Sequence, residues 1–173
     1  VTRDELPDQM SKMRTRFLDY KSYADATVKD IFTDEEMKGA KHLSINYLKT
    51  AYFESGKDGK LREKQLPLEV QVSPVYAITS LDYNSDGIED LLFAGNINHP
   101  RLRFGKSDAN FGILLKGEGN GQFSYVPQLQ SGFNVRGDTR SLLHLNGTLF
   151  FGVNQDKIKA YKVSHIEGKL ANK

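Results

Sequence analysis

Two stretches of the chain repeat at a nearly constant spacing, and this repeat limits the available folds more than any other feature. Tyr52-Phe53-Glu54-Ser55-Gly56-Lys57-Asp58-Gly59-Lys60-Leu61 aligns with Leu114-Leu115-Lys116-Gly117-Glu118-Gly119-Asn120-Gly121-Gln122-Phe123 at an offset of 62, and Leu81 aligns with Leu143 at the same offset. Leu91-Leu92-Phe93 aligns with Leu149-Phe150-Phe151 at an offset of 58, so the second copy is expected to lack four residues between its paired strands. Short apolar runs separated by Gly, Asn and Asp fill the same region. They predict strands over 47–54, 76–81, 90–94, 111–115, 123–126, 141–145, 148–153 and 158–163. Lys57-Asp58-Gly59, Gly119-Asn120-Gly121 and Asn146-Gly147 supply the positive-φ residues of tight hairpins.

A repeating unit of four antiparallel strands that buries its face only against its neighbours is the pattern of a β-propeller blade. The β region has room for about two to two and a half such blades, fewer than the roughly 4–8 with which propellers close. The expected fold is therefore mainly β with an N-terminal helical segment: a partial β-propeller over residues 43–173, preceded by a helical cap over 1–42, in a fragment of a longer protein with further blades N-terminal to Val1.

The cap is read from spacing. Leu6, Met10, Met13, Phe17 and Tyr20 share one helical face and predict a helix over 7–19. Ala24, Thr27, Val28 and Ile31 form a second stripe ending at Phe32, and Thr33 followed by Glu36 is a capping box.

Composition mainly excludes. The 173 residues contain no cysteine, so disulfide scaffolds and thiolate zinc sites are ruled out. A net charge of +2, balanced along the chain, announces no face for nucleic acid or anionic lipid. No apolar run approaches the ~20 residues of a membrane helix. His42, His99, His144 and His165 form no ligand pair, and no nucleophile elbow is present. Gly105-Lys106-Ser107 lacks the earlier glycine of a phosphate loop, and Gly117-Glu118-Gly119-Asn120-Gly121 leads into a strand rather than a helix.

One motif carries chemistry. Asp82-Tyr83-Asn84-Ser85-Asp86-Gly87-Ile88-Glu89-Asp90 places oxygen donors at positions 1, 3 and 5, glycine at 6, a backbone carbonyl at 7 and a carboxylate at 9. Alternate side chains of a tight loop converge, Gly87 permits the turn, and Ca²⁺ accepts six to eight oxygens in loose geometry. Position 12 is Phe93 and the chain after the loop reads as a strand, so this is a loop between strands and not a helix-loop-helix hand. The alternative is an acidic, solvated turn, in which the carboxylates repel one another. The expected ligands are Asp82, Asn84, Asp86, the Ile88 carbonyl and Asp90, with Ca²⁺ in a structural role.

Leu81-Asp82-Tyr83-Asn84-Ser85-Asp86-Gly87-Ile88-Glu89-Asp90-Leu91 resembles the FG-GAP (VCBS, integrin-α-type) propeller repeat, with its D-x-[ND]-x-D-G-x-x-D loop. Leu66-Pro67-Leu68-Glu69, Ser73-Pro74-Val75-Tyr76-Ala77-Ile78, Ala94-Gly95-Asn96, Arg103-Phe104-Gly105, Asp108-Ala109-Asn110-Phe111-Gly112 and Val135-Arg136-Gly137-Asp138-Thr139-Arg140-Ser141 extend the likeness. Together they are similar to the C-terminal part of secreted ASPIC/UnbV-type proteins of Bacteroidetes-like bacteria. The resemblance implies an exported protein, at the cell surface, in the periplasm or outside the cell, and implies the same five calcium ligands. It implies no established activity.

Two further loops gather polar residues: Arg101, Arg103, Asp108 and Asn110 in one, Arg136, Asp138 and Arg140 in the next. Arginine beside carboxylate and amide suits a sugar or a carboxylate ligand; the alternative is ion pairs and turn caps between blades. The functional expectation is a non-enzymatic binding or scaffold module, with the remaining blades and a surface glycan or protein as partners. The alternative is the C-terminal portion of an exported carbohydrate-active enzyme with its catalytic residues upstream.

Overall fold

The computed structural model describes residues 2–100 and 104–164, and the chain divides into two compact units, Val1–Tyr47 and Leu48–Lys173. The first is helical. It contains α1 (Glu5–Gln9), a 3₁₀ turn (Ser11–Thr15), α2 (Tyr20–Ala24), α3 (Val28–Ile31) and α4 (Asp34–Met37). Helices this short do not hold themselves together by backbone bonds alone. They are held by a small core of Leu6, Met13 and Ile31, with Phe17 and Tyr23 packed edge to face beside it. The continuous helix expected over 7–19 is broken at Met10, which is extended (φ −139°, ψ 92°). The predicted stripe is therefore split: Leu6 and Met13 are buried, but Met10 and Tyr20 face solvent. The capping box at Thr33 and Glu36 forms as expected, and Asp30 reaches back in the same way to the Thr27 N–H at 2.8 Å.

The second unit is built from antiparallel sheets. Hairpin β1 (Tyr52–Ser55) and β2 (Leu61–Lys64) forms one. A four-stranded meander follows in the order β3 (Val75–Leu81), β4 (Asp90–Gly95), β5 (Ile113–Gly119), β6 (Gln122–Val126). A three-stranded meander β7 (Thr139–Leu145), β8 (Thr148–Val153), β9 (Lys159–Lys162) ends it. A short helix, α5 (Gln128–Ser131), leaves β6. The chain is thus mainly β with a few short helices, and no helix among the described residues is long and apolar enough to cross a membrane.

Both faces of the middle sheet are covered, as the period-2 alternation of its strands requires. Leu81, Leu92, Ala94, Leu114 and Val126 point one way, into a core shared with Leu149, Phe151 and Val153 of the last sheet. Phe93, Ile113 and Leu115 point the other way, onto Tyr52 of the first hairpin and onto Leu66 and Val70 in the segment that follows it. The strand β2 was not among those predicted, and 47–54 contracts to Tyr52–Ser55.

The repeat is visible pair for pair. In β1–β2, Tyr52 opposes Lys64 and Ser55 opposes Leu61; 62 residues later, Leu114 opposes Val126 and Gly117 opposes Phe123. In β3–β4, Val75 opposes Gly95 and Leu81 opposes Asp90; Thr139 opposes Val153 and Leu145 opposes Thr148 in β7–β8, with the same bulge after the first pair. The first strand of this second repeat is therefore offset by 64 (75 to 139), not 62. The turn shortens from the eight residues 82–89 to the two residues 146–147, a loss of six rather than four.

Candidate metal centre

The loop 82–90 joins β3 to β4 where the sequence motif places it. Ser85 (φ 60°) and Gly87 (φ 80°) are both left-handed, which coils the chain tightly enough to aim successive N–H groups back at its own side chains. The Asp82 carboxylate accepts from the N–H of Asp86 (3.1 Å) and of Gly87 (2.9 Å). Asn84 Oδ1 also accepts from the Asp86 N–H at 3.2 Å, Asn84 Nδ2 donates to Asp86 Oδ2 at 2.8 Å, and Asp86 Oδ1 accepts from the Ile88 N–H at 2.9 Å. Four of the five expected ligand residues, Asp82, Asn84, Asp86 and Ile88, are thus bonded into one small coil.

Asp90 closes the loop from beneath and is fully buried. Its oxygens accept from the N–H of Tyr83 (2.9 Å), within the loop, and of Gly117 (2.8 Å), on β5. Gly117 makes that approach possible: a β-carbon there would stand 2.4 Å from the Glu89 carbonyl oxygen. The loop is therefore clamped to β5 as well as to its own two strands.

Burial raises the Asp90 carboxyl above the usual aspartate range, the two N–H bonds oppose this, and the nearby charges of Asp86 and Asp82 add to it. Asp86 is held below its usual range, chiefly by the Ile88 N–H and then by Asn84. Lys116 Nζ lies 3.9 Å from Asp86 Oδ2 and 3.4 Å from Glu118, and the Glu118 bond raises the ammonium above its ordinary value.

The donor chemistry fits a hard divalent cation: three carboxylates, one amide and one carbonyl, all oxygen. Each carboxylate oxygen that accepts one N–H retains capacity for another partner. Among the described residues no group of three or more His, Cys, Asp or Glu closes on a common point. An ion would therefore depend on the Asn84 amide and the Ile88 carbonyl as much as on the acids.

The second set of predicted residues is split up. Arg101 and Arg103 lie outside the described residues. Asp138, buried, accepts from the Asn98 N–H at 2.6 Å and sits 3.6 Å from His99 and 3.5 Å from Arg140. Arg140 also donates to the Asn96 carbonyl at 2.9 Å and stacks on the Tyr76 ring at 3.9 Å, so it ties the last sheet to the middle one. Asn110 is buried and caps the Gly112 N–H at 2.9 Å. Asp108 and Arg136 line a shallow recess with His99 and Lys106.

Asn96, which the sequence shows only as part of the family likeness, holds these two loops together. Its buried side chain accepts from Ser73 Oγ (2.8 Å) and from the Asn110 N–H (3.0 Å), and donates to the carbonyls of Asn110 (2.7 Å) and Gly137 (3.2 Å). Its φ of 128° is unusual for a residue other than glycine, and no spacing in the sequence signals it. Comparison of the chain with protein-family models, with curated proteins and with solved structures gives no match.

Proposed function

We propose that this chain is a calcium-stabilised, non-enzymatic binding or scaffold module, its sheets being consecutive blades of a partial β-propeller in an exported or surface protein. The observation that carries the proposal is the loop 82–90. It is coiled by two left-handed residues around all-oxygen donors, with a buried acid at its end whose charge burial disfavours. A divalent ion would be held by Asp82, Asn84, Asp86, the Ile88 carbonyl and Asp90, and would supply the charge that lets all three acids ionise together.

The stacked, face-covered sheets and the pairwise-equivalent hairpins support the blade reading, and the FG-GAP-like loop sequence supports the exported setting. With Asn84, Asp86 and Ile88 exposed on a surface loop, the site suits weak, extracellular-type calcium affinity, on the order of 10⁻⁴ M. The proposed partners are further blades and a surface glycan or protein.

Calorimetric titration of chelator-treated protein with CaCl₂ and MgCl₂ tests the metal reading. Calcium is expected to saturate one site and magnesium to bind more weakly. With calcium at about 100 times Kd the linkage is about 2.7 kcal/mol, or roughly 5–10 °C in Tm for a chain of this size. Asp86→Ala is expected to weaken binding at least about tenfold. Equal melting in EDTA and in calcium would overturn the reading.

A further inference from the structure

The middle and last sheets do not pack without a gap. Between them lies a cavity of about 170 Å³ whose walls are Leu81, Leu114, Leu149, Phe133, Tyr161 and Val163. Its polar lining comprises Asn84 of the acidic loop, Gln130 and Ser131 on α5, Lys162 on β9 and Ser164 after it. Among the described residues no acid is in its lining, and Lys162 is the one charged residue there.

We propose that this cavity is a binding site for a single-ring aromatic ligand carrying a polar substituent. Volume sets the size: an apolar cavity of about 150 Å³ stays dry and accepts benzene. The walls set the class. Phe133, Phe151 and Tyr161 form a closed edge-to-face trio, with centroids 5.2 Å apart for Phe133–Tyr161, 5.5 Å for Phe151–Tyr161 and 5.7 Å for Phe133–Phe151. Two of the three rings border the cavity, and a guest ring adds a further edge-to-face contact that an aliphatic ring lacks.

Both bordering rings are already fixed. The Tyr161 hydroxyl accepts the Asn134 N–H at 3.3 Å, and the Phe133 ring is held between those of Phe151 and Tyr161. Binding therefore orders little of the protein, which favours a small ligand. The substituent is accommodated among Asn84, Gln130, Ser131, Lys162 and Ser164, because the six walls named first offer hydrocarbon and ring faces. This inference does not depend on the metal reading.

The test is ¹⁹F NMR of 4-fluorophenol titrated with the whole chain, in EDTA and in calcium. Saturable binding in either buffer is expected, with Kd of roughly 0.1–1 mM, and cyclohexanol should displace the probe roughly 3–10-fold less effectively than phenol. Val163→Phe fills the cavity and Ser131→Phe obstructs its polar side. Each is expected to weaken binding about tenfold or more in protein that remains folded. A linear, unsaturated shift in both buffers would overturn the proposal. So would equal displacement by cyclohexanol, or unchanged affinity in either variant that remains folded.

Discussion

Glu36 shows how far a single side chain's role extends beyond its local signal. Its carboxylate accepts the Thr33 N–H at 3.0 Å and two bonds from the Arg16 guanidinium, at 2.8 and 2.7 Å. Arg16 foremost, with Thr33, lowers its pKa to about 2 from the usual 4.5. A depressed folded value means that Glu36 contributes its stabilisation fully above about pH 4.5 and loses it as pH falls toward about 2. Carboxyl ¹³C titration is expected to give a midpoint near 2, moving back toward 4.5 in Arg16→Gln. An unshifted wild-type midpoint would show that the pair is not made. The Thr33–Glu36 spacing was legible because a capping box is written within four residues; Arg16, twenty residues away, was not. The loop 82–90 divides in the same way. Asp82, Asn84 and Asp86 are readable from spacing, whereas the Gly117 N–H that pins Asp90 comes from 27 residues on. Gly117→Ala drives a β-carbon against the Glu89 carbonyl, and is expected to cost about 1–3 kcal/mol in chemical denaturation and to weaken calcium binding.

At the scale of elements, turns were more legible than strand offsets. Asn146 (φ 49°) and Gly147 (φ 71°) are both left-handed, as a two-residue hairpin turn requires, and Asn120 (φ 53°) and Gly121 (φ 69°) repeat the arrangement. Gly147→Val places a β-branched side chain at that φ and is expected to cost about 1–2 kcal/mol by thermal or urea unfolding; a neutral result would mean that the turn is of another type. Between β1 and β2 the expected two-residue turn is instead the five-residue loop 56–60, in which Gly59 alone is left-handed among the central residues. The offset of β3 onto β7 was misread by two residues for a physical reason. A shift of two returns every side chain to the same sheet face, so apolar pattern cannot distinguish 62 from 64; the shared bulge and the paired residues do. The strand β2 (Leu-Arg-Glu-Lys) lacks an apolar alternation and was invisible for that reason. It forms by pairing with β1, where Lys64 and Glu54 also meet at 3.2 Å.

At the scale of the molecule, the equivalent hairpins carry equivalent side chains into unlike surroundings. Leu81 on β3 is 4% exposed beneath the last sheet, whereas its counterpart Leu145 on β7 is 52% exposed. Leu143, on the same outward face, is 55% exposed beside its cross-strand partner Phe150. Identical chemistry at matched positions therefore separates packing from propensity. Leu81→Ala is expected to cost about 2–4 kcal/mol by opening a cavity, and Leu145→Ala less than about 1 kcal/mol. Comparable losses would mean that the outer face is covered in solution. The outward face is the one that the middle sheet buries, so another sheet of the same kind is its natural occupant, and the isolated chain is expected to associate as concentration rises. Sedimentation of the wild type against the double variant Leu143→Lys, Leu145→Lys checks this. The variant should stay monomeric with its melting unchanged, because charges replace exposed methyl groups and fill no core position. A wild type that stays monomeric at every concentration would show that this outward face is not adhesive.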